Sequence, residues 1–137
     1  MIVDDEAGLR RILSEHRVIA MVGLSPNPER PSHGVAKYLL AHGYTVIPVN
    51  PGQTEILGQT CYPSLRAIPL KVDMVDCFRK SEDIPAFAED AIAIGARSLW
   101  MQLGVRNDAA AARACAAGLD VVMNRCPKIE HARLLGD

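Results

Sequence analysis

The 137 residues, 49% hydrophobic and 23% charged, suit one globular domain with its own core and exclude a disordered chain. A formal net charge of −1 with dispersed basic residues argues against nucleic acid as partner, and no apolar run approaches the roughly 20 residues that span a bilayer. Cys61, Cys77, Cys115 and Cys126 show no CxxC spacing and no secretory leader opens MIVDDEAG, so reduced thiols in a cytoplasmic protein are expected.

Residues 5–15, DEAGLRRILSE, set Leu9, Ile12 and Leu13 on one face at helical spacing and predict a first surface helix. VIAMVG at 18–23 reads as a strand buried on both faces, as in a parallel sheet covered by helices. GLSPNPERPSHG at 23–34 follows as a loop stiffened by three prolines. Ser32 is expected to cap a helix over 33–42, with Val35, Tyr38 and Leu39 inward and Gly43 as its stop. YTVIPV at 44–49 is a second strand, in which Pro48 lacks an amide donor and belongs near the end. The turn NPG at 50–52, an extended piece around Ile56-Leu57 and a helical turn over 64–68 come next.

VDMVDCF at 72–78 is a third main strand, with its acids expected at the ends or on a polar side. Asp73, Asp76, Glu82 and Asp83 accordingly read as strand-edge solvation and helix capping. Ser81 is expected to cap a helix over 82–94, whose first turn tolerates Pro85. SLWMQL at 98–103 is a fourth strand with Trp100 in the core. Asn107 and Asp108 open a helix to 117 that Gly118 ends, LDVVMN at 119–124 is a fifth strand, and Pro127 starts a last helix to about Leu135. This alternation implies right-handed crossovers about a mainly parallel five-stranded sheet, in a single α/β domain spanning 1–137. Ligands of such sheets lie beyond the carboxyl ends of the strands, where the strand order reverses. Function is therefore sought at 23–32, 50–52, 78–81, 102–107 and 124–128.

Gly23 permits a sharp turn, Ser25 offers a hydroxyl, and the helix start after Ser32 supplies free amides and the positive end of a dipole. Gly34 leaves room for a phosphate or for the neighbouring sheet. Arg30 and Arg79 are candidate phosphate partners, with a structural salt bridge the other reading of Arg79. His33 is either a phosphate donor or a surface residue. Gln102 and Gly104, just past the fourth strand, are pocket candidates. Cys126, before Pro127 and between Arg125 and Lys128, sits where a thiolate is favoured, although His131 is not on the same helical face. GxGxxG is absent and the second strand ends at neutral Asn50, which disfavours dinucleotide binding; GKS and GKT are also absent.

Gly23-Leu24-Ser25, Ile47-Pro48-Val49-Asn50-Pro51, VDMVDCFRKSEDIP at 72–85 and NRCPKIEH at 124–131 together resemble the small bacterial and archaeal CoA-binding proteins. Their domain is similar to the N-terminal CoA-binding domain of the succinyl-CoA synthetase alpha subunit and of ADP-forming acyl-CoA synthetases. The resemblance implies a Rossmann-like three-layer sandwich that holds coenzyme A at its strand ends. Gly23, Ser25 and the Ser32 helix start would approach the diphosphate, Val49, Asn50 and Pro51 would line the nucleotide side, and Phe78 and Arg79 the opposite wall. The ligase reaction does not carry over. A non-catalytic module binding CoA or an acyl-CoA is expected, against an NAD(P)-binding oxidoreductase or regulator and a Cys126-dependent acyl-CoA-processing enzyme.

Overall fold

The computed structural model describes residues 1–136. Helix α1 (Glu6–Glu15) is capped by the Asp5 side chain, which accepts from the Gly8 amide, and buries Leu9, Ile12 and Leu13. Strand β1 (Val18–Val22) leads into the proline loop, then helix α2 (Pro31–Ala41) and strand β2 (Thr45–Val49). A two-residue hairpin of β3 (Glu55–Ile56) and β4 (Gln59–Thr60) stands where the sequence suggests only an extended piece, followed by a 3-10 turn at Leu65–Ala67. Then come β5 (Met74–Cys77), α3 (Ile84–Ala93), β6 (Ser98–Met101), α4 (Asp108–Ala116), β7 (Asp120–Val122) and α5 (Pro127–Leu134).

The five main strands form one sheet in the order β2-β1-β5-β6-β7, and every neighbouring pair runs parallel. The order reverses between β1 and β5. Two apolar layers enclose the sheet. Leu9, Ile12 and Leu13 of α1, Val35 and Leu39 of α2, and Leu134 of α5 pack with Met21, Met74 and Trp100. On the other face Ile84, Ala88 and Ala91 of α3 and Ala110, Ala111 and Ala114 of α4 pack with Val22, Val75 and Leu99. The expected Rossmann-like three-layer arrangement is present, with the sheet parallel throughout.

Pro48 lies in the outermost strand, beside Met21. Its carbonyl accepts from the Tyr62 amide on the outer side, so the missing proline donor falls away from β1. At the opposite edge Ile2 pairs in parallel with Val121.

Three local expectations need correction. Helix α2 begins at Pro31 with Arg30 at its N-cap, and Ser32 lies inside the first turn. Proline is favoured there because its fixed φ suits the helix and its absent N–H would have no partner. Ser81 does not cap α3: Ser81–Asp83 form a 3-10 turn, and the Ser81 hydroxyl accepts from the Arg106 amide. Asp76 is not solvated. It is fully buried in the central strand, whereas Asp73 caps the β1 entrance by accepting from the amides of Arg17 and Val18.

Candidate functional site

The reversal between β1 and β5 brings together the loops that follow those strands. Gly23 has φ +83°, and a Cβ there would stand 2.5 Å from the Phe78 carbonyl oxygen. Glycine is thus required for the close approach of the two loops as well as for the turn. The proline loop is shaped by its own polar side chains. Asn27 donates its amide to the Ser25 hydroxyl oxygen, Glu29 donates to Asn27 Oδ1, and Ser25 donates to the Ser32 hydroxyl oxygen. Ser25 retains its hydroxyl proton for a further acceptor, while Ser32, only 4% exposed, serves as the brace.

Two grooves open at the strand ends, on opposite faces of the sheet. The larger, about 1110 Å³, lies on the α2 and α5 side and takes in Arg30, Gly34, Val35, Gln102, Cys126 and Lys128. The smaller, about 390 Å³, lies on the α3 side and takes in Gly23, Ser25, Val49, Asn50, Pro51 and Leu65. Phe78 and Arg79 line both and mark the divide. Ten of the thirteen candidate residues therefore converge on one continuous rim. Ser32, His33 and Gly104 line neither groove. Gly104 occupies a left-handed turn, and its amide donates to Asn124 Oδ1.

Beyond its chain neighbours and the backbone of its own helix, Gly34 meets nothing within 4 Å of a notional Cβ. Of its two sequence readings, packing against the sheet has no support, and space left over the groove remains. Arg30 is exposed at the α2 N-cap. Arg79 lies 3.3 Å from Asp83 in a half-exposed ion pair, the weak sort that a ligand phosphate can replace. Asn50 donates from Nδ2 to the Leu24 carbonyl and accepts from the Gly52 amide. The side chain standing where a dinucleotide enzyme places a ribose-binding acid is thus engaged in holding two loops together.

Cys126 is 4% exposed and forms the N-cap of α5 without a side-chain cap bond. The positive flank expected from Arg125 is turned elsewhere, to Asp4 at 2.7 Å and Glu130 at 3.4 Å. His131 forms a 2.8 Å hydrogen bond with the Tyr38 hydroxyl. Cys77 is a buried thiol on the other face; burial, then the neighbouring Asp76, raise its pKa beyond the reactive range. Trp100 is a core residue whose indole donates to the Arg125 carbonyl.

Several lining residues, Leu65, Phe87, Asp90 and Ile129 among them, lie outside the strand-end segments to which the sequence directs attention. Leu103, Val105 and Ile129 also line the larger groove, as do Glu29 and Lys80, and Leu65, Phe87 and Asp90 line the smaller one. Lys128 and Ile129 have one available cue: they follow Pro127 at a helix start just beyond a strand end.

A family model described as a CoA binding domain matches residues 17–132. The uncharacterized protein YneT of Bacillus subtilis (strain 168) is 39% identical over 127 residues, covering 93% of this chain and 94% of its own. The solved structure of a hypothetical protein from Pyrococcus horikoshii OT3 superposes with a TM-score of 0.94 at 47% identity, covering 97% of this chain and 94% of that one. An acetate–CoA ligase (ADP-forming) of Archaeoglobus fulgidus is 35% identical over 74 residues, which are 54% of this chain and 11% of the ligase.

Proposed function

Because the chain belongs to the CoA-binding domain family, we propose that it holds coenzyme A or an acyl-CoA across its strand ends, as a binding, carrier or regulatory module without turnover of its own. The observation that carries this reading is the meeting of two unlike grooves at Phe78 and Arg79, beside the first turn of α2. CoA has the matching plan: an anionic diphosphate between an adenosine arm and a longer, less polar arm. The diphosphate faces the first turn of α2 and the Ser25 hydroxyl; Pro31 has no N–H there and the His33 amide donates to the Arg30 carbonyl, so the positive end of the helix dipole is what that turn offers an anion. Arg30 and Arg79 share the charge of the phosphates, and the adenosine arm takes the smaller groove beside Val49, Asn50 and Pro51.

The non-catalytic part of the reading rests on Cys126. A nucleophilic thiol needs a base within hydrogen-bond reach, and the histidine nearest in sequence, His131, is bonded to Tyr38.

Calorimetry with CoA, dephospho-CoA and NADH tests the proposal. CoA is expected to bind, dephospho-CoA to bind more weakly for want of its 3′-phosphate, and NADH to fail to displace either. Binding of NADH with no heat from CoA would overturn the reading. Acyl-CoA turnover that disappears in Cys126→Ser while binding persists would overturn its non-catalytic half.

A further inference from the structure

The buried side-chain polar atoms left without a hydrogen-bond partner, among the described residues, are Asp76 Oδ1, Asp76 Oδ2 and Gln102 Oε1. They are neighbours in the sheet. Asp76 pairs with Trp100, and the Gln102 amide donates to the Cys77 carbonyl and prolongs that ladder by one step. Side chains alternate along a strand, so Gln102 shares the face of Trp100 and Asp76 and lies diagonally ahead of the latter. A diagonal neighbour on the next strand is within reach of a side chain as long as glutamine.

With aspartate ionised, all three atoms are acceptors and none can satisfy another. A carboxyl that keeps its proton supplies the missing donor. Burial holds the Asp76 carboxyl well above the usual aspartate range. Gln102 Oε1 is enclosed, yet Gln102 itself lines the larger groove. Its amide nitrogen is the end left for that groove.

The groove has the character of a site for a chain of apolar links broken by amides. Val35 and Val105 are buried along it, while Leu103 and Ile129 stand half exposed on its rim, at 53% and 51%. Its volume is nearly three times that of the groove assigned to adenosine.

We propose that the larger groove takes the pantetheine arm of CoA, and that the Asp76 carboxyl donates to Gln102 Oε1 and so fixes Gln102 Nε2 to donate to an amide carbonyl of that arm. The proposal rests on the CoA reading above. Gln102 is then the residue that reads the arm, and Asp76 a positioning residue that never touches it.

The test compares CoA with 3′-phospho-ADP, which lacks the pantetheine arm, by calorimetry on the intact protein. Gln102→Leu and Asp76→Leu should each weaken CoA by about five- to tenfold, the worth of one hydrogen bond, and leave 3′-phospho-ADP unchanged. Asp76→Asn keeps a neutral donor and should stay within about twofold of the parent for both ligands. An Asp76→Asn variant as weak as Asp76→Leu would overturn the positioning role, because an ionised aspartate would then be what matters. Equal losses for both ligands, or no loss in Gln102→Leu, would overturn the assignment of the arm. A parent protein that binds 3′-phospho-ADP as tightly as CoA would fail this proposal alone, whereas one that binds neither would fail the CoA reading with it.

Discussion

The Ser25 amide donates to the Ser32 hydroxyl across 3.0 Å, tying the start of the proline loop to the first turn of α2. The three prolines limit the loop's backbone freedom, and this one bond decides where its two ends stand. Removing the hydroxyl leaves a half-buried amide without its acceptor. Ser32→Ala should therefore cost about 1 kcal/mol of stability, read by denaturant unfolding, and lower CoA affinity severalfold, read by calorimetry. Unchanged affinity would show that the loop's shape is set by the prolines alone.

Gly34 gives a prediction of opposite sign for the two readouts. It lies within helix α2, and nothing in the protein occupies the space of a Cβ. Gly34→Ala should raise stability by about 0.5–1 kcal/mol, because alanine loses less backbone freedom in a helix. The added methyl enters the larger groove and should weaken CoA. A variant both more stable and tighter would remove Gly34 from the ligand's path.

Arg30 and Arg79 are expected to act through charge rather than through the fold. Arg30 is exposed, and the Arg79–Asp83 pair is half exposed, so substitution by Gln should change stability by less than about 1 kcal/mol. CoA affinity should fall in each variant, and its decline with added salt should become shallower. If one of them faces the 3′-phosphate, its variant binds CoA and dephospho-CoA alike. Loss of the fold in Arg79→Gln would instead assign that residue to structure.

Two buried groups set opposing pH dependences. His16, hydrogen-bonded to Ser98, has its pKa lowered from 6.5 by burial first and by Arg97 second. The folded state takes up this proton less readily than the unfolded chain, so stability falls as pH drops below 6.5. Asp76 is raised by burial above 3.8, so the folded state keeps a proton that the unfolded chain releases, and stability falls as pH rises beyond that value. Between 3.8 and 6.5 the two effects oppose each other in melting temperature, and single variants separate them. His16→Gln should leave melting temperature falling more steeply as pH rises through that interval, and Asp76→Asn should leave it rising.

The layers of the fold are readable because their cues are local. Strands such as VIAMV have no polar alternation, helices close on Gly43 and Gly118, and Asn107 caps α4 by accepting from the Ala110 amide. The residues just past the strand ends are legible for the same reason, since a strand's end announces its own loop. Which loops meet is another matter. The strand order that sets Phe78 against Gly23 arises from long-range pairing, and no spacing in the chain reveals it. Leu103 likewise reads as the end of the fourth strand and Ile129 as one residue of the last helix, until the fold places both on one rim. The misplacing of Asp76 has a chemical cause. An acid in a strand suggests water because burying its charge is costly, and a buried carboxyl without a partner has its pKa raised by that cost.

The flanks of the sheet carry a consequence for how copies of the chain can meet. On one side Tyr62 already bonds to Pro48 and Asn50, and proline offers no donor of its own; on the other Ile2 lies along Val121. An incoming strand finds part of the rungs already taken at each border, which discourages ribbon-like growth from one molecule to the next.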